Sequence, residues 1–149
     1  MVERRIIDNP FIFKMSRDFN ASAERVFDAW LDPKYVGNWL FGTPDGKGKV
    51  SKVDPRVGGQ FEIGEMRGDE FANHVGTYHE IERPNRIVFS YYLETENEEL
   101  SSTVIVEISE MENGCAVHIT HEMDDIYAEY EANTIEGWTM IFNGLENYV

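Results

Sequence analysis

The sequence predicts an α+β domain in which one antiparallel sheet is covered on a single face by a C-terminal helix. Three observations carry this. Apolar residues repeat with a period of two from about Lys47 to Glu122. They then repeat at three and four residues through Trp138, Ile141, Phe142, Leu145 and Val149. Between them there is no Pro-, Gly- or Ser-rich linker, internal repeat or low-complexity tract beyond one short acidic stretch. A chain of 149 residues buries roughly 70% of its unfolded surface, so a single domain over residues 1–149 is expected, with residues 1–10 as a less ordered lead-in.

Alternating Phe11, Phe13 and Met15 read as a first strand from Phe11 to Phe19. Ser22 can cap the helix that follows, which places Val26, Phe27, Trp30 and Leu31 on one stripe. Asp32-Pro33 stops it, because a residue before proline is biased away from helix. Pro33 can open a second short helix through Trp39, ended by the turn Phe41-Gly42-Thr43-Pro44. Strands follow at Lys49–Asp54 and Gly59–Met66, separated by Pro55 and Gly58-Gly59, with further turns at Arg67–Glu70 and Arg83-Pro84-Asn85.

The fifth strand aligns Ile87, Phe89, Tyr91 and Leu93 on one face. The sixth aligns Val104, Val106 and Ile108 against Thr103, Glu107 and Ser109, with Ile105 as an exception. After Asn113-Gly114 the seventh aligns Cys115, Val117 and Ile119. One-sided alternation in successive hairpins means an antiparallel sheet with one covered face, and the final helix is the cover. Its start is open: Asp124 or Asp125 could cap it, or Asn133 with Glu136 three residues on. Gly137 costs a helix interior about 1 kcal/mol relative to Ala, which implies either close approach to the sheet or room beside the indole of Trp138.

The net charge is −15, and its distribution says more than its total. Residues 1–86 carry all thirteen Lys and Arg against fourteen Asp and Glu; residues 87–149 carry fourteen acidic side chains and no Lys or Arg. Such a field repels phosphate backbones and anionic lipid, so neither nucleic-acid binding nor membrane docking is expected. Glu94 to Glu99 and Asp124-Asp125 read as a solvated loop and a helix start, or as a face that meets a basic partner. No apolar run approaches the ~18 residues of a membrane span, and Met1-Val2-Glu3-Arg4-Arg5 lacks a signal-peptide core, so a soluble cytoplasmic protein is expected. Cys115, the single cysteine, excludes an internal disulfide and reads as a buried structural thiol.

Catalytic motifs are missing: there is no Gly-x-Ser-x-Gly elbow, no His-Glu-x-x-His and no phosphate-cradling Gly loop. His118 and His121, three apart on a strand, point to opposite faces, as do His74 and His79, five apart, so no local metal site and no cofactor are expected. Glu62, Glu65, Arg67 and His74 lie on adjacent strands. A surface position is expected for this polar set, with Glu62 outside because it alternates with Phe61; the face of His74 stays open, since Phe71, Val75 and Ile81 favour one side and Gly76 and Tyr78 the other.

The landmarks form an ordered series: Val26-Phe27-x-x-Trp30-x-Asp32-Pro33, Trp39, Gly58-Gly59, Gly76-x-Tyr78-x-Glu80-Ile81 and Gly137-Trp138. Over roughly residues 11–149 this series resembles the helix-grip fold of the START-related superfamily. The branch it resembles is the one named for homology to the C-terminal domain of the activator of the heat-shock-protein-ninety ATPase. Each piece is weak alone; the order is specific.

The resemblance implies about seven strands curved around a long C-terminal helix, with a cavity between them that takes an apolar small molecule. Trp30, Trp39, Phe61, Tyr78, Phe89, Tyr91, Trp138 and Phe142 are the large side chains expected around it, unless they are ordinary core. The expected function is therefore non-enzymatic binding of a small hydrophobic ligand. Two alternatives remain: a chaperone-linked protein that stimulates an ATPase, and a cyclase- or aromatase-like enzyme, which would need an ionisable group in the cavity. Either a monomer or a homodimer fits, and fold by itself does not decide function.

Overall fold

The computed structural model describes residues 2–149. Seven strands are present: β1 (Phe11–Phe19), β2 (Lys47–Val53), β3 (Gln60–Arg67), β4 (Glu70–Glu82), β5 (Arg86–Leu93), β6 (Ser102–Met111) and β7 (Gly114–Met123). Helix α1 (Ala23–Leu31) follows β1, and α2 (Glu131–Tyr148) ends the chain. All strand pairs are antiparallel, in the order β1-β7-β6-β5-β4-β3-β2. Five consecutive hairpins thus build β2 to β7, and β1 alone pairs out of sequence, against β7. This is the expected α+β helix-grip architecture.

Local signals set the element ends. Ser22 accepts a hydrogen bond from the Arg25 N–H at 3.2 Å and caps α1, while Asp32 is extended before Pro33. The second short helix is tighter and shorter than its Pro33–Trp39 expectation, a single 3-10 turn over Val36–Asn38. Strand β2 starts at Lys47, two residues early, through an irregularity between Lys47 and Val50 where Gly48 has φ +61°. Asp124 caps a 3-10 segment ahead of the C-terminal helix, Asp125–Tyr130, its side chain accepting from the Ile126 N–H at 3.2 Å; the segment runs into α2, whose own first residue, Glu131, follows Tyr130 with no side-chain cap.

The core lies between the concave face of the sheet and the helices. Trp138, Ile141, Phe142 and Leu145 of α2 are buried against Phe13 and Phe19 of β1, Val104, Val106 and Ile108 of β6 and Cys115, Val117 and Ile119 of β7. Burial raises the Cys115 thiol above its ordinary value, with Asp18 and Glu24 adding to it, as suits an inert thiol. The lead-in has no regular structure but is anchored to the outer face of the sheet. Val2 and His79 exchange two hydrogen bonds, Arg4 pairs with Glu122 at 3.4 Å, and Arg5 donates to the Ser101 carbonyl at 3.0 Å. Among the described residues no helix is long and apolar enough to cross a membrane.

Candidate functional site

Two glycines on α2 shape the space beneath it. Gly144 lies against Trp39, where an added Cβ would meet Trp39 Cβ and O at 3.2 Å. Gly137, two turns earlier, faces open space, with nothing within 4 Å of an added Cβ. The helix is therefore clamped at its C-terminal half and held off at its N-terminal half. Room beside the indole, rather than close approach, is what Gly137 provides.

That room is a cavity of about 340 Å³ between β3 to β7 and α2, within the range of small-molecule sites. Phe41, Tyr91, Leu93, Leu100, Met123, Trp138, Met140 and Ile141 give it apolar walls, and Tyr127 and Tyr130 of the 3-10 segment reach it from the rim. Of the eight aromatic residues expected around a cavity, Tyr91 and Trp138 line it. The structure places the other six elsewhere. Trp30, Trp39, Phe61 and Phe89 pack on one another, with Trp30 and Trp39 edge-on at 4.8 Å between centroids and Phe61 and Phe89 edge-on at 5.7 Å. Tyr78 sits 5.3 Å from Phe61, and Phe142 packs edge-on to Phe19 at 5.8 Å. These six are core because α1 and the Val36–Asn38 turn fill the half of the sheet that Gly144 brings close.

A polar relay crosses the cavity wall. The Trp138 indole N–H donates to His121 Nδ1 at 3.1 Å, and His121 Nε2 lies 2.8 Å from Ser102 Oγ. An indole nitrogen can only donate, so His121 Nδ1 must carry the lone pair and Nε2 the proton. Ser102 Oγ therefore accepts from His121. Burial pushes His121 down to about 3, so it is neutral through the physiological range. Burial likewise raises the Tyr91 phenol, an effect that the neighbouring Ser102 hydroxyl opposes and the charges of Glu96 and Tyr127 reinforce.

His74 is fixed in the other tautomer. Its Nδ1 lies 3.2 Å from the Ile63 carbonyl, which only accepts, so Nδ1 carries the proton and Nε2 the lone pair. The ring stacks on Phe41, with centroids 4.1 Å apart and planes 1° from parallel. Burial and then the charge of Arg67 bring His74 down to about 4, against the Ile63 hydrogen bond and the charge of Glu65.

Glu65 organises the loop beside it. The carboxylate is 2% exposed and accepts from the Thr43 N–H at 3.0 Å, the Thr43 hydroxyl at 2.6 Å and Arg67 Nε at 3.0 Å. Burial works to raise its pKa, but these hydrogen bonds and the Arg67 charge outweigh it, so the group titrates below the usual carboxylate range. Arg67 also donates from Nη2 to the Phe41 carbonyl at 2.8 Å and so holds Phe41 at φ 60°, an uncommon conformation for a bulky residue.

The surface position expected for this polar set is corrected for Glu65 and His74, both buried, while Arg67 is exposed at the cavity rim. Strict alternation puts Phe61, Ile63, Glu65 and Arg67 on one face of β3, a signal present in the sequence. Glu62 alternates with them on the other face, where it accepts from Asn73 at 3.0 Å. The face of His74 was masked by a bulge between Tyr78 and Glu80, which moves Ile81 to the inner face opposite Ile87. His118 points outward and bonds Ser16 at 2.6 Å. Among the described residues no group of three His, Cys, Asp or Glu is placed to hold a metal ion.

The fold is shared with several solved structures. A crystal structure of a protein from Chromobacterium violaceum is similar at 23% identity and a TM-score of 0.80, covering 94% of this chain and 98% of that one. A protein from Rhizobium leguminosarum matches at 20% identity and 0.75, covering 94% of each chain, and a protein of unknown function from Staphylococcus aureus at 15% and 0.78, covering 93% of each. No curated protein matches the chain. The model of one family, described as activator of Hsp90 ATPase homolog 1-like protein, matches residues 20–149. With that match spanning most of the sequence and the helix-grip architecture in place, the chain belongs to the activator of Hsp90 ATPase homolog 1-like family.

Proposed function

We propose that the protein binds a small hydrophobic molecule in the cavity between the sheet and α2. One observation carries this: a cleft of about 340 Å³ with mostly apolar walls opens between the sheet and α2, where α2 carries a glycine facing into it. Its apolar walls are left facing water unless a ligand covers them, and covering apolar surface is favourable. The test is a thermal-shift screen of apolar ring compounds on the wild type and on Gly137→Leu, whose side chain extends into the cavity. A ligand-induced rise in Tm for the wild type that Gly137→Leu abolishes supports the reading; a wild type that responds to none of the compounds removes it.

A cyclase-like activity is the second reading, favoured by the two neutral imidazoles and the phenol in the cavity wall, which supply the ionisable groups such chemistry requires. It predicts turnover that is lost in His74→Leu with ligand binding retained. An ATPase-activating partnership with a chaperone draws its support from the family description alone. Stimulation of the chaperone from the same cell would test it.

A further inference from the structure

Two polar groups on the cavity wall are open to a ligand, the Tyr91 hydroxyl and His74 Nε2. The Tyr91 hydroxyl lines the cavity and has no hydrogen-bond partner among the described residues, so its proton is free for a ligand. His74 is the converse: its Nδ1 proton is consumed by the Ile63 carbonyl, and its Nε2 lone pair has no partner among the described residues. The two rings stand side by side, 5.8 Å between centroids, each in contact with Phe41. A hydroxyl able to donate and a fixed acceptor therefore border the same cavity.

Charge narrows the choice further. Among the described residues the one cation on the wall, Arg67, is matched by Glu65 at 3.0 Å, whereas Glu96 at the rim, holding the Tyr127 hydroxyl at 3.2 Å, has no basic partner. The surrounding segment, residues 87–149, has no Lys or Arg at all. An anionic ligand would enter without a counter-charge and against this field.

We propose that the cavity selects neutral aromatic hydroxyl compounds, a single ligand hydroxyl accepting from the Tyr91 O–H and donating to His74 Nε2, and that it rejects the corresponding carboxylates. A hydroxyl group is both donor and acceptor, so it satisfies both groups at once; a ketone or ether satisfies only Tyr91. The aromatic walls formed by Phe41, Tyr91, Trp138 and Tyr127 favour a flat ring as the apolar body.

The proposal rests on the cavity being a binding site, and four probes separate the two ideas. Isothermal titration near pH 7 would compare 2-naphthol, 2-methoxynaphthalene, naphthalene and 2-naphthoate on the wild type, Tyr91→Phe and His74→Leu. On the wild type 2-naphthol should bind tightest, roughly tenfold better than 2-methoxynaphthalene, which should exceed naphthalene by a similar factor, with 2-naphthoate weakest. Tyr91→Phe should erase the advantage of 2-methoxynaphthalene over naphthalene; His74→Leu should erase that of 2-naphthol over 2-methoxynaphthalene. If naphthalene binds and 2-naphthol gains nothing, or 2-naphthoate binds as well as 2-naphthol, the selectivity is wrong while the cavity reading stands. If no probe binds, both fall. Should His74→Leu fail to fold, the wild-type series and Tyr91→Phe still decide.

Discussion

Trp138 and His121 are joined edge to face across the cavity wall, with ring centroids 5.8 Å apart, planes at 84° and the indole N–H directed at Nδ1. The contact does two things at once. It satisfies a buried indole, and it determines which nitrogen of a buried imidazole carries the proton. Trp138→Phe keeps most of the ring and removes the donor, leaving His121 Nδ1 without a partner. A loss of about 1–3 kcal/mol in urea unfolding is expected. The nitrogen chemical shifts of His121 should move from a single Nε2–H tautomer toward a mixture. An unchanged tautomer would show that the indole does not set it.

Gly137 and Gly144 occupy the same helix and predict opposite outcomes. Gly137→Ala adds a methyl to open space and should stabilise the protein by about 1 kcal/mol through helix propensity. Gly144→Ala meets the backbone and Cβ of Trp39 at 3.2 Å, and Trp39 is itself held by its indole bond to the Ala29 carbonyl. Overpacking of about 1–3 kcal/mol then exceeds the propensity gain, for a net loss of up to about 2 kcal/mol. Equal shifts in Tm for the two variants would contradict the clamped and held-off halves of α2.

Glu65→Gln removes the charge that Thr43 and Arg67 surround. Because Arg67 is 36% exposed and can turn to water, the loss should be about 1–3 kcal/mol rather than the larger cost of stranding a fully buried ion. The Phe41 loop, which Arg67 holds through the Phe41 carbonyl, should loosen with it. Hydrogen exchange at Thr43 is the direct measurement, since its amide loses a charged acceptor.

The pH dependence has a definite sign. His74 and His121 titrate at about 4 and about 3 in the folded protein, below the ordinary 6.5. Between 6.5 and those values the unfolded chain binds protons that the folded one does not. Stability should therefore fall as the pH drops below 6.5, by up to about 1.4 kcal/mol per pH unit for each histidine. Glu65, whose folded value is lowered, adds a further loss once the pH falls below its ordinary 4.5. Measuring Tm from pH 7 to pH 5 tests the histidine part before carboxylates contribute. Imidazole proton resonances of His74 and His121 should stay in their neutral positions to pH 5; titration near 6.5 would contradict their burial.

Periodicity made much of the molecule legible. The strands, α1 with its Ser22 cap and Asp32-Pro33 stop, and the buried stripe of α2 each follow from the spacing of apolar residues in a short window, because a side chain's face is set by local backbone geometry. Alternation also held the position of Glu65 and Arg67, on the face of Phe61 and Ile63. Their charge argued for the surface only because their partners, Thr43 and Phe41, lie more than twenty residues away.

The sequence by itself determined the class of fold, the covered face of the sheet and the family to which the chain belongs. Tertiary structure alone decided which aromatic residues close the core and which border empty space. That division depends on how near α2 comes to the sheet along its length, held close at Gly144 and away at Gly137, and no local pattern encodes a distance between elements. The tautomers of His74 and His121 likewise rest on Ile63, Trp138 and Ser102, contributed by three other elements. A proton's position on a ring is decided by the partner across the gap, and only the folded chain brings that partner near.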